Sequence, residues 1–203
     1  MTVRQSQASS NLVRWGGIAA MLGGALFATL GLIIAAMPRG CNGDECAIRQ
    51  MRDTGVAGGA LLILAFLLVM AGAAGLVILA RRSGRFGRLG WTGLFAGAFG
   101  MALLAVGTVL NTRDSSLVPA FIILGLLALI LGFLLLGVAV LLAGVLPRWV
   151  ATLLIVGSLA MLGFNDQNAQ ALMAVPNGIA WMAVGYALWS EKGAVGRRTT
   201  SVR

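Results

Sequence analysis

Histidine is missing from this 203-residue chain, lysine occurs once against fourteen arginines, and only six residues are acidic. Without an imidazole, Ser-His and Cys-His nucleophilic pairs, axial-His haem and imidazole zinc sites are all excluded. Cysteine is nearly absent too. With only Cys41 and Cys46, the chain lacks the second thiol pair that a dithiol-transferring membrane enzyme would use. Polar runs long enough for a separate soluble domain are also wanting, so the length is expected to be used up by one compact membrane domain. The preference for Arg over Lys points to a GC-rich, bacterial source.

What is present is apolar. Hydrophobic residues make up 59% of the chain, charged residues 10%, and glycine occurs 29 times. With a mean hydropathy of +0.95, the composition lies outside that of soluble domains. An all-α polytopic membrane protein is predicted, with six transmembrane helices at about 15–37, 55–80, 91–110, 117–146, 149–164 and 171–189. The first is too long for the apolar part of a signal peptide and is read as uncleaved. The fifth, at 16 residues, is short for a crossing that needs about 20. Residues 1–14 and 190–203 are read as cytoplasmic tails, the second of them basic.

The formal charge of +9 is spread in short runs between apolar stretches. That placement suits topology signals better than a nucleic-acid surface. On one side of six crossings fall eleven Lys and Arg, on the other Arg39, Arg49, Arg52 and Arg113. Both termini are therefore expected in the cytoplasm of a bacterial inner-membrane protein. Arg81, Arg82, Arg85 and Arg88 form the densest run and are candidates for anionic lipid headgroups.

Small residues carry the clearest pattern. Trp15, Gly17, Gly24 and Gly31 recur as Trp91, Gly93, Gly100 and Gly107, each 76 positions later, and Ala20 matches Ala96. Seven residues are close to two helical turns, so each glycine trio lines one helix face and leaves a groove for close helix packing. Because Trp149 opens the fifth stretch in the same way, three helical hairpins in series become a possible arrangement, with a repeat between helices one and three. Chance spacing among so many glycines, and ordinary interfacial tryptophan, is the plainer account. Even-numbered stretches repeat the step at Gly58, Ala65 and Gly72, at Gly125 and Gly132, and at Gly178 and Gly185. The whole describes a tight bundle.

Three polar features remain. Cys41 and Cys46 flank Asn42-Gly43 on the side expected to be oxidising, and a disulfide is the first reading. A redox-active pair, or a metal site with Asp44 and Glu45, fits the spacing less well. Glu45, Arg49 and Asp53 stand at four-residue steps, which suggests a short amphipathic surface helix for support or for partner docking.

The third feature follows the short fifth stretch. Asp166, with Asn165, Gln167 and Asn168 around it and Asn177 in a helix-breaking Pro176-Asn177-Gly178, makes a possible polar or cation site. A plain exposed loop leading to a helix that starts at Pro176 is the alternative. No charge lies in the middle of any stretch, so the titratable relay of a proton-coupled transporter is wanting. No catalytic residue, cofactor or metal is expected. The sequence reads best as a non-enzymatic structural or accessory subunit, with a second copy of itself in a homo-oligomer, or another membrane protein, as the expected partner. A small transporter or channel using the Asp166 region is the rival, and a lipid-modifying enzyme has neither nucleophile with base nor metal cluster.

Overall fold

Leucine-, alanine- and glycine-rich runs with no charge between their ends leave the backbone only itself to hydrogen-bond in an apolar medium, and the helix is the local way to do so. In the computed structural model, which describes residues 3–41, 46, 52, 55–82, 84, 87–111 and 117–190, six α-helices form and the described residues contain no strand. They are α1 (Val3–Ala36), α2 (Gly55–Arg82), α3 (Arg88–Asn111), α4 (Val118–Ala143), α5 (Arg148–Ala160) and α6 (Ala174–Ser190). Five spans are long and apolar enough to cross a membrane, drawn from α1, α2, α3, α4 and the segment Ala169–Ser190. The sixth helix of the set, α5, continues through a 3-10 turn to Gly163 but stays shorter.

Two boundaries differ from expectation. The residues read as an N-terminal tail are helical from Val3 onward, continuous with α1. Val13, inside that segment, is buried and lies under Gly75 of α2, so packing extends the helix beyond the apolar run. In the second case, Pro176-Asn177-Gly178 does not break the returning helix. A 3-10 segment, Ala169–Met173, leads straight into α6, and Pro176 falls in its first turn. Proline is tolerated in the first turn of an α-helix, where fewer i−4 hydrogen bonds are lost than in the interior.

The bundle is assembled on glycine. A methyl group built on Gly24 would stand 2.5 Å from the Gly178 carbonyl oxygen, and one on Gly17 would stand 2.8 Å from that of Gly185. Each seven-residue step forward along α1 is thus matched by a seven-residue step back along α6. Gly31 ends the row against Ala171 and Ala174. The same construction joins α3 to α4: Gly93 meets Gly132, Gly100 meets Gly125, and Gly107 meets Phe121 and Ile122. A second row on α1, Gly16, Ala20 and Gly23, seats α2 through Gly75, Gly72 and Val69.

These rows decide which helices are neighbours. The pairs α1/α6, α1/α2 and α3/α4 pack closely, α5 bridges α4 and α6, and α2 touches α3 only sparsely. The matched stripes of α1 and α3 therefore take different partners, α6 for one and α4 for the other. At the centre, Phe27 meets Phe66 edge to face at 5.1 Å, and Phe133 meets the fully buried Trp181 at 4.9 Å.

Turns are made by local chemistry. Gly144 adopts φ +62 after α4 and returns its N–H to Val140, a left-handed ending that suits glycine. Pro147 then precedes α5, and its carbonyl accepts from the Val150 N–H at 3.0 Å to begin the helix. At the same end, Arg81 lies over the Trp91 ring at 4.4 Å, which ties the end of α2 to the start of α3.

Candidate functional site: the polar brace and the cavities beneath Asp166

Pro38 ends α1 with several carbonyls left open, because the last turn of any helix has no donors ahead of it. Arg52 supplies them. Its Nη1 donates to the Ile34 carbonyl at 2.7 Å and to that of Asp166 at 2.6 Å. Nη2 donates to Met37 at 2.9 Å and Pro38 at 2.7 Å, and Nε donates to Pro38 at 3.0 Å. All five guanidinium N–H groups are thereby engaged. A cation also suits the negative end of the α1 dipole.

The brace reaches across the bundle. The Arg52 backbone N–H donates to Gln167 Oε1 at 2.7 Å, and the Gly40 N–H donates to the Gln167 carbonyl at 2.9 Å. Gln167 is buried, and a side chain at Gly40 would collide with its amide oxygen. Next to Gly40, Cys41 is buried and joined to Cys46 in a disulfide. One polar knot therefore holds the end of α1, the chain before α2 and the connection between α5 and α6. Sequence reasoning placed Arg52 only among the cations of a loop. The available signal was Pro38, which announces open carbonyls, followed within a short loop by an arginine able to cap them.

The polar residues grouped around Asp166 divide. Asn165 Oδ1 accepts from the Gln167 N–H at 2.8 Å, and Asn168 Oδ1 accepts from the Gln170 N–H at 2.7 Å. Both are side-chain turns that shape the connection. The Asp166 side chain itself is exposed. Asn177 lies apart on α6, beside Gly157 of α5, buried with Oδ1 unpartnered among the described residues. The structure thus gathers Gln167 with Arg52, leaves Asp166 at a surface and places Asn177 in the core.

Beneath Asp166 the bundle is not filled. Two adjoining cavities of about 280 and 270 Å³ share Gly59, Leu62, Phe164 and Asp166 as walls. The first lies between α1 and α2; the second extends between α2 and α3 to Phe27, Phe66 and Leu104. Sparse packing of α2 on α3 leaves this space, since no glycine row draws the two helices together. Among the described residues, Asp166 is the one charged residue in the linings.

At the other end Arg88 and Trp91 lead an open groove along α3 with Phe95 and Phe99. Arg81 and Arg88 are exposed; Arg85 lies outside the described residues, as do Glu45, Arg49 and Asp53 of the expected surface helix. Among the described residues no three acids or cysteines gather as a metal site would need. The class that emerges is an all-helical protein with five membrane-length apolar helices. No protein-family model matches the chain, and no curated protein or solved structure matches it.

Proposed function

We propose that the chain crosses a bacterial cytoplasmic membrane six times, with both termini in the cytoplasm, and serves as a non-enzymatic structural or accessory subunit. In this reading α5 and its 3-10 turn make the sixth crossing, roughly 25 Å long at the usual rise of these helices. The disulfide end faces the oxidising side and Arg81 to Arg88 face the cytoplasm, where anionic headgroups bind them. The observation that carries the reading is the use of polar groups. Arg52, Gln167, Asn165 and Asn168 are spent on bracing the scaffold, and the glycine rows weld its helices.

The test is gentle solubilisation followed by purification at native abundance. A structural subunit retains another membrane protein, or a second copy, in fixed ratio. Recovery as a lone chain that moves a solute in liposomes, with transport lost in Asp166→Asn, would overturn it. Gly100 is unsuitable for probing an outer interface, because it is covered by α4. A small transporter or channel remains the second reading, supported by the cavities that meet at Asp166.

A further inference from the structure

We propose that the paired cavities beneath Asp166 form a binding site for a lipophilic organic cation, its apolar body held between α2 and α3 and its positive centre beside the Asp166 carboxylate. The site is that of the second reading above, taken as a place of binding rather than of transport.

Shape comes first. Taken together the cavities reach the size of small-molecule sites, roughly 300–1,000 Å³, and they adjoin across the shared residues Gly59, Leu62 and Phe164. A methyl group on Gly59 would meet nothing within 4 Å, so that wall faces open space. By contrast, Gly24 and Gly100 in the bundle interior are pressed against backbone. An apolar space of this kind favours an apolar occupant, which gains by leaving water.

Charge selects the occupant. Among the described residues, Asp166 is the one ionisable side chain on either lining. Arg52, the cation nearest to it in the brace, has every guanidinium N–H committed to carbonyl oxygens and has none left for a carboxylate. The rings of Phe27, Phe66 and Phe164 line the second of the two cavities. Such faces attract cations and disfavour anions. An anionic amphiphile would place its charge against Asp166, and a neutral one would gain nothing from the carboxylate.

Tetraphenylphosphonium and tetraphenylborate, matched in size and opposite in charge, separate these cases. The full chain in nanodiscs of zwitterionic lipid is titrated with each ion, and saturable binding is read against empty discs. One saturable equivalent of the phosphonium is expected, with no saturable borate. Asp166→Asn, a conservative change at an exposed side chain, should weaken phosphonium binding by about tenfold or more. Gly59→Leu, which fills the space, should abolish it while the unfolding temperature holds. Equal binding of the two ions, no saturable phosphonium, or binding unchanged in both variants would overturn the proposal. Binding without solute flux in liposomes would leave it standing and would remove only the transporter reading.

Discussion

The backbone N–H of Arg52 and the side-chain amide oxygen of Gln167 are 2.7 Å apart, although 115 positions separate them in sequence. That bond, with the guanidinium wrapped by the carbonyls of Ile34, Met37, Pro38 and Asp166, ties the first connection to the last. Chain segments that would otherwise move independently are held by one side chain. The cavities lie under this knot, so its rigidity sets the position of Asp166.

Arg52→Ala should therefore lower stability by about 1.5–3 kcal/mol, the range for hydrogen bonds to a charged group. Arg52→Lys should recover only part of it, because an ammonium offers three donors where the guanidinium offers five. Thermal unfolding in a mild detergent measures both. A protein indifferent to Arg52→Ala would show that the carbonyls are as well served by water.

The two kinds of glycine should respond in opposite directions. At Gly24 a methyl group approaches the Gly178 oxygen to 2.5 Å and the Met182 nitrogen to 2.8 Å, both backbone atoms that cannot turn aside. Gly24→Ala should force α1 from α6 and cost about 1–3 kcal/mol, as overpacking does. At Gly59 nothing is within 4 Å, and Gly59→Ala should gain up to ~1 kcal/mol from helix propensity. Unfolding temperatures of the two variants, compared in one detergent, decide the matter.

Much of this packing could be read from spacing, and some could not. The seven-residue step of Gly17, Gly24 and Gly31 places them on one face whatever the neighbour, so the existence of a packing row follows from helix geometry. Which helix occupies the row depends on complementary rows elsewhere. Gly178 and Gly185 on α6 fit α1, whereas Gly125 and Gly132 on α4 fit α3, and near-identical stripes thus acquire unlike partners. The polar loop resisted reading for another reason. Asn165, Gln167 and Asn168 look alike as a cluster, but their hydrogen bonds depend on backbone turns and on Arg52, which no local pattern connects to them. Pro176 misled because proline breaks a helix interior and suits a first turn, and only the start of α6 at Ala174 distinguishes the two.

The Cys41–Cys46 bond closes a short loop next to Gly40 and the brace. In the chain-entropy account a loop of this size contributes roughly 2 kcal/mol by restricting the unfolded chain. The double variant Cys41→Ser with Cys46→Ser should unfold at a lower temperature by a corresponding amount, and reductant should shift the parent protein equally. Reductant that shifts the variant as much as the parent would mean the loss arises elsewhere. Non-reducing mass mapping of membranes checks that the bond is present before either measurement.

Asn177 gives the sharpest separation between scaffold and site. It is 3% exposed, its Oδ1 has no hydrogen-bond partner among the described residues, and Trp181 Nε1 one turn along is in the same condition. A buried acceptor left unpaired costs about 1–3 kcal/mol, which an apolar replacement of similar volume removes. Asn177→Leu should accordingly be neutral or raise the unfolding temperature. Phosphonium binding should be unchanged as well, because Asn177 lines neither cavity beneath Asp166. A marked loss of stability in Asn177→Leu, reversed in Asn177→Gln, would instead show that the amide has a polar partner in the folded membrane protein. The core around Trp181 would then have to be counted as a second polar centre, apart from Asp166.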